Sequence, residues 1–174
     1  MERKEVVLVD VFNNPIGKME KLASHKEPHL HRAFSVFLVN DNNEILIQKR
    51  AEDKYHSGGK WANACCSHPE DATQDIKVSA KLRLNEELGV EGVELQELFS
   101  FIYFAKFNDN LYEYEHDTVL LGKYNGEIAL DPTEASEYRW ISVKDLNKDM
   151  VENPQKYAVW FLSCAPKVLS IIKK

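Results

Sequence analysis

The stretch Arg83-Leu84-Asn85-Glu86-Glu87-Leu88-Gly89 decides how the chain is divided. It closes a helix predicted over Thr73–Leu88, in which Ile76, Ala80, Leu84 and Leu88 return at i+4 spacing to one apolar face. Asp71 and Gln74 suit the first turn of that helix and Gly89 suits its end. Before it, the chain reads as strands. Glu5–Phe12 is Val-rich and closed by the turn signal Asn13-Asn14-Pro15-Ile16-Gly17. Ala33–Val39 and Glu44–Lys49 flank Asn40-Asp41-Asn42-Asn43 as a hairpin. Arg50–Lys60 is a polar loop with Gly58-Gly59, and Trp61–Pro69 is a short segment dense in Cys, Asn and His. After the helix, Phe99, Phe101, Tyr103 and Phe107 keep strand period through Glu97–Phe107. Asn108-Asp109-Asn110 then turns the chain into a second long strand, Leu111–Tyr124. Glu137–Ile141 reads as a further strand and Asp145–Asn147 as a short helix. Pro154–Lys173 reads as a longer helix burying Phe161, Ala165, Val168 and Ile172. Strands come first, one helix interrupts them and helices close the chain, which is an α+β order rather than a regular βαβ repeat.

The length of 174 residues suits one domain with a sizeable core. Lys+Arg 22 against Asp+Glu 28 gives a net charge of −6, which speaks against general nucleic-acid binding because that needs a basic face. A small anionic ligand stays compatible, since local charge can oppose global charge. Three cysteines, two of them adjacent (Cys65 and Cys66), do not make a disulfide framework. No apolar run reaches the length of a membrane span, and Met1–Lys21 lacks the basic-then-apolar build of a signal peptide. The expected setting is cytoplasmic and reducing.

Three constellations can carry chemistry. Glu113 and Glu115 are i and i+2 on a strand, so their carboxylates share a face, with Asp117 continuing the row. Alone, that row reads as a solvent-washed strand face. In the company of His25, His29, His31 and His68 it suits a divalent transition metal, because neutral imidazole and carboxylate are its common ligands. Cys66 and His68 are also i and i+2, and a thiol beside an imidazole can be a nucleophile, a ligand or an acid–base group. The bland alternative for Cys65 and Cys66 is core packing, and alternation would bury one and present the other. Arg83 and Glu87 are i and i+4, which by itself is a helix-surface ion pair.

Taken with His68-Pro69, the segment Glu86-Glu87-Leu88-Gly89-Val90 resembles the end of a Nudix box, a loop–helix–loop whose glutamates hold Mg²⁺ against a diphosphate. Two departures mark it: Leu82-Arg83 replaces the usual Arg-Glu pair, and His68 stands where the first Gly belongs. With those departures the chain resembles the type I isopentenyl-diphosphate isomerases. The resemblance rests on Glu20-Lys21-Leu-Ala-Ser-His25, His31-Arg-Ala-Phe-Ser35, Gln48-Lys-Arg50 with Lys54, Trp61-Ala-Asn-Ala-Cys-Cys66-Ser-His68-Pro69, Glu86-Glu87-Leu-Gly89 and Tyr112-Glu113-Tyr-Glu115-His116.

That resemblance implies a Nudix-like mixed β-sheet sandwiched by helices, one domain over 1–174 with a core at about 5–150. A C-terminal helix at about 154–173 would pack over the site. It implies interconversion of isopentenyl and dimethylallyl diphosphate, with Cys66 and Glu115 working on opposite faces of the substrate. By analogy the metal-linked Glu115, aided by Tyr103, protonates the alkene and the Cys66 thiolate removes the other proton. His25, His31, His68, Glu113 and Glu115 would hold one divalent metal (Mg²⁺, Mn²⁺ or Zn²⁺). Glu87 and the Cys66 carbonyl would hold a second ion, Mg²⁺, on the diphosphate. Lys21, Arg50, Lys54 and Arg83 match diphosphate contacts, and Trp160 matches an indole covering the reacting carbons. His29 could replace His31, and a one-residue slip would exchange Cys65 and Cys66; Arg32-Ala33-Phe34 favours His31, and Asn63, His68 and Pro69 favour Cys66. The partner expected is a small allylic or homoallylic diphosphate, with no nucleic acid, no membrane and a monomer or weak dimer. The rivals are a Nudix diphosphate hydrolase and a non-catalytic metal-binding protein using His25, His31, His68 and Glu113.

Overall fold

The computed structural model describes residues 5–108 and 110–172. Asp109 of the expected turn, and the outermost positions of the expected domain and last helix, lie outside the described residues. Strand β1 (Glu5–Val9) pairs with β2 (Pro15–Glu20), and a short helix α1 (Lys21–Lys26) follows. The expected turn at Asn13–Gly17 is thus shorter, because Pro15, Ile16 and Gly17 already belong to β2. β2 is exposed almost throughout, so it carries no apolar alternation by which a strand is read. β3 (His31–Val39) and β4 (Glu44–Arg50) form the expected hairpin but pair only at Val39↔Ile45 before diverging. The dense segment resolves into two short strands, β5 (Trp61–Asn63) and β6 (Cys65–Ser67).

Divergence of β3 from β4 splits the sheet into two lobes. In one, β3 lies between β6 and the parallel strand β8 (Leu111–Lys123), which pairs in turn with β7 (Leu95–Asn108). In the other, β4 lies between β5 and β9 (Ala135–Ser142). Helix α2 (Ile76–Leu88) covers one side. It starts at Ile76, the first residue of its apolar face, rather than at the expected Thr73, because Asp75 caps it by accepting from the Lys77 amide at 2.9 Å while Asp71 closes a separate turn onto Thr73. Gly89 ends it at φ +63°, where a Cβ would also lie 2.9 Å from the Ala129 Cβ.

Helices α3 (Val143–Glu152) and α4 (Val159–Ile172) cover the other side. α3 is longer than expected: Ser142 caps it, and Val143, Leu146 and Met150 bury at helical spacing. The predicted Pro154–Lys173 helix breaks into a 3-10 turn (Pro154–Lys156) and α4, because the Ala158 amide donates to the Trp61 carbonyl of β5 at 2.9 Å. Strand alternation then sorts the side chains. Phe34, Val36, Leu38 and Cys65 join Ala80, Leu84 and Leu88 under α2, whereas Phe37, Tyr103 and Val119 join Trp160, Phe161, Ala165 and Val168 under α4. No helix among the described residues is long and apolar enough to cross a membrane.

Candidate active site

On the α4 side the sheet opens into a cavity of about 550 Å³ lined by Lys21, Ser35, Arg50, Lys54, His56, Cys66, His68, Arg83, Tyr103, Glu113, Glu115 and Trp160, among others. That volume lies in the range of small-molecule sites. β3, β6, β7 and β8 supply its floor, because Ser35, Cys66, Tyr103, Glu113 and Glu115 fall on the one face that their register brings together. Cys65 points the other way into the α2 core and is fully buried. Alternation thus buries one cysteine of the pair and presents the other.

A histidine–carboxylate cluster forms one wall. Glu20 caps α1 by accepting from the amides of Leu22 (3.0 Å) and Ala23 (2.7 Å), which aims His25 inward. His25 Nδ1 donates to the Lys21 carbonyl at 2.6 Å and His31 Nδ1 to the His29 carbonyl at 2.8 Å. Both rings therefore offer an Nε2 lone pair to the interior, the arrangement by which outer partners orient metal-ligating imidazoles. His31 Nε2 is buried without a hydrogen-bond partner. His68 Nε2 lies 2.8 Å from Glu115 Oε1, and the donor atoms of His25, His31, His68 and Glu115 all fall within 4.8 Å of one another. Three imidazoles and a carboxylate, with His31 Nε2 and His68 Nδ1 both orphaned, fit a divalent transition cation. Glu113 stands at the edge of this group: Oε1 is 3.9 Å from His25 Nε2, and Oε2 accepts from the Tyr103 hydroxyl. His29 lies outside, its ring half exposed and nearest Glu27.

Burial lowers the proton affinity of His25 and drops that of His68 to about 3. For Glu115 burial works the other way, but the His31 and His68 imidazoles prevail and hold it as a carboxylate well below the usual range. His31 is raised: burial opposes protonation, and the Glu115 carboxylate outweighs it. The sign of the acid response follows. Below the ordinary histidine value of 6.5, unfolded chain protonates His25 and His68 while folded chain resists, so stability falls. His31 returns part of that loss, and the depressed Glu115 adds to it as pH drops through 4.5. Chelator-treated protein is expected to show a lower urea midpoint at pH 5.5 than at pH 7.5, the unfolding free energy falling by about 1.4 kcal/mol per pH unit for each histidine in net deficit. An equal or higher midpoint at pH 5.5 counts against this cluster.

In the same cavity, the Cys66 thiol donates to Asn63 Oδ1 at 3.0 Å and lies 3.5 Å from Ser35 Oγ. Ser35 in turn donates to the buried Asp117 Oδ2 at 2.7 Å. Burial, with the Asp117 charge behind it, pushes the thiol up, so Cys66 rests protonated. Trp160 lines the cavity from α4, with the Arg50 guanidinium 5.1 Å from its ring centre. Lys54 donates to Glu134 at 2.8 Å; Arg83 donates to Glu86 at 2.7 Å and pairs with Glu87. Glu87 sits behind Arg83, with Gln48 Nε2 donating to it at 3.2 Å, rather than on the cavity wall. Two groups in this region were not singled out by the pattern of residues. Glu134 bridges Lys54 and Arg83 from the loop before β9. His56 contacts Glu113 from a loop, where no side-chain periodicity marks it.

The NUDIX domain family matches residues 29–161. A solved MutT protein from Methanosarcina mazei Go1 superposes with a TM-score of 0.62 at 17% identity, covering 83% of this chain and 96% of that one, which is a likeness of fold. In sequence, the Isopentenyl-diphosphate Delta-isomerase of Aliivibrio fischeri (strain ATCC 700601 / ES114) is 41% identical over 97% of each chain. The Isopentenyl-diphosphate Delta-isomerase 2 of Aromatoleum aromaticum is 40% identical over 95% of this chain and 87% of its own. With the altered box at Leu82-Arg83 and the imidazole–carboxylate wall both in place, the chain belongs to the Nudix-fold isopentenyl-diphosphate Delta-isomerase family.

Proposed function

We infer that this chain interconverts isopentenyl and dimethylallyl diphosphate, with Cys66 and Glu115 as its acid–base pair. The observation that carries the reading is that a thiol and a carboxylate reach one cavity from strands on either side of β3, beneath an indole and beside Lys21, Arg50, Lys54 and Arg83. The reaction adds a proton to the terminal methylene carbon and removes one from the methylene two carbons along, next to the carbon bearing the diphosphate. It therefore needs an acid and a base on separate walls, and the two exchange roles between the two directions. The basic side chains fix the diphosphate and so place the five-carbon unit between them.

Protonating the alkene gives a tertiary carbocation-like centre that water would trap as an alcohol. Trp160, 4% exposed, and Tyr103 give the cavity buried aromatic walls that would shield such a centre from water. An indole face supplies electron density without a nucleophile, a contact worth about 2 kcal/mol when desolvated. Tyr103, held protonated by burial and by Glu113, keeps the neighbouring carboxylate oriented. A divalent cation held by His25, His31, His68, Glu113 and Glu115 would stabilise the carboxylate form of Glu115 and set its proton affinity. Glu87, paired with Arg83 behind the cavity wall, would reach a second ion, Mg²⁺, on the diphosphate only by parting from that arginine.

The test is deuterium exchange from solvent into isopentenyl diphosphate, with and without chelator. Expected are label in both isomers with metal present and none after chelation. Release of phosphate from the substrate or from a nucleoside diphosphate, with no label, identifies a hydrolase instead. Tight metal binding with neither reaction identifies a metal-binding protein.

A further inference from the structure

His56 lines the cavity but has no role in the reading above, yet it is 7% exposed and its Nε2 lies 3.0 Å from Glu113 Oε1. The ring is fixed on three sides. It stacks on Phe107 (centroids 4.3 Å apart, 14° between planes) and meets Tyr55 and Trp160 edge-on at 4.5 and 5.8 Å. Its backbone is fixed too: the His56 carbonyl accepts from Arg50 at 3.3 Å, and the next residue, Ser57, takes φ +53°. A non-glycine residue in that region is held there by its surroundings.

The hydrogens on this contact can be assigned. An ionised carboxylate only accepts, so His56 Nε2 carries the hydrogen given to Glu113 Oε1. His56 Nδ1 is then an acceptor facing the Ser57 hydroxyl at 3.3 Å. The other Glu113 oxygen accepts from Tyr103. Both oxygens of Glu113 are thus held by donors on rigid aromatic side chains, one from the loop and one from β7, while its nearest cluster nitrogen, His25 Nε2, stays 3.9 Å away. We propose that His56 is a positioning residue for the metal centre: it orients the Glu113 carboxylate toward the cation bound by His25, His31, His68 and Glu115, and so sets the affinity of the site. The inference rests on the metal reading given above. His56 also meets Trp160 edge-on, so it stands between the cation wall and the indole that lines the cavity.

The experiment uses the full chain and Co²⁺ alone, read by its visible absorption during titration against a competing chelator, with far-UV circular dichroism of every variant. His56→Phe keeps the ring packing and removes the donor; it is expected to bind about 10–100-fold more weakly with the same stoichiometry, the usual cost of an outer partner. His56→Gln restores an N–H donor and is expected to recover binding to within about threefold. The double variant His56→Phe/Glu113→Gln should bind no more weakly than Glu113→Gln alone, since both changes act through one carboxylate. A wild-type chain that takes up no Co²⁺ overturns the metal reading and this inference together. A wild-type chain that binds, with His56→Phe binding as tightly, overturns this inference alone. So does a His56→Gln as weak as His56→Phe, or an additive loss in the double variant.

Discussion

Cys66→Ala is expected to lower isomerisation by about 10³-fold or more, and Cys65→Ala to leave it within a few-fold of the unaltered protein. The two residues are chemically identical neighbours, so the pair separates placement from composition. Cys66 lines the cavity, with its thiol hydrogen on Asn63 and its sulphur near Ser35. Removing it leaves the substrate with a base or an acid but not both, and positioned proton transfer is worth about 10²–10⁴-fold. Cys65 is fully buried among Leu84, Leu88 and Val36 in the α2 core. Shortening it to Ala deletes one sulphur from a packed layer, at a cost of about 1 kcal/mol in stability and no reacting atom. The measurement is conversion of isopentenyl diphosphate followed by ¹H NMR, with thermal unfolding of both variants. A fully active Cys66→Ala protein, or loss confined to Cys65→Ala, would remove the assignment of the acid–base pair. Cys66→Ser is expected to recover little, because an alcohol is a far weaker acid than a thiol.

What could be read without the structure depended on whether a residue's partners share its own element. Glu113 and Glu115 share a strand, Cys66 and His68 share another short segment, and Ala80, Leu84 and Leu88 share a helix face; all three patterns survive in the fold. The exposed strand β2 left no apolar period to read, and α1, with only Ser24 and His25 buried, left none either. His56 and Glu134 matter only through residues far away in the chain, Glu113 for one and Lys54 with Arg83 for the other. Contacts of that kind are made by β3, β4, β7 and β8 coming together, which spacing within a segment does not encode. The pairing of Glu87 with Arg83 was visible as i, i+4, but its withdrawal behind the cavity wall was not, since it depends on Gln48 of β4.

Stripping the divalent metal is expected to stop the reaction and to lower the melting temperature by about 8–16 °C, while Glu115→Gln protein is inactive and loses much less on the same treatment. The cluster explains why. Three imidazoles and a carboxylate are buried together, and His31 Nε2 has no hydrogen-bond partner there. A cation that binds only the folded chain adds about 4 kcal/mol when present at a thousandfold its dissociation constant. At this chain length each kcal/mol moves the midpoint by about 2–4 °C. Glu115 is the acidic member of the cluster, its Oε1 lying 2.8 Å from His68 and 3.6 Å from His31. Replacing it with an amide keeps the shape, removes the charge that would draw a cation, and removes one half of the proposed acid–base pair. Stability gained from metal and activity should therefore disappear together in Glu115→Gln, whereas Cys66→Ala should lose activity and keep the full metal-dependent shift. Equal melting shifts on chelation in unaltered and Glu115→Gln protein would place the cation elsewhere, and a Cys66→Ala protein without any shift would mean that the thiol, not the imidazole wall, holds it. Differential scanning calorimetry with added Mn²⁺ or with chelator separates these outcomes.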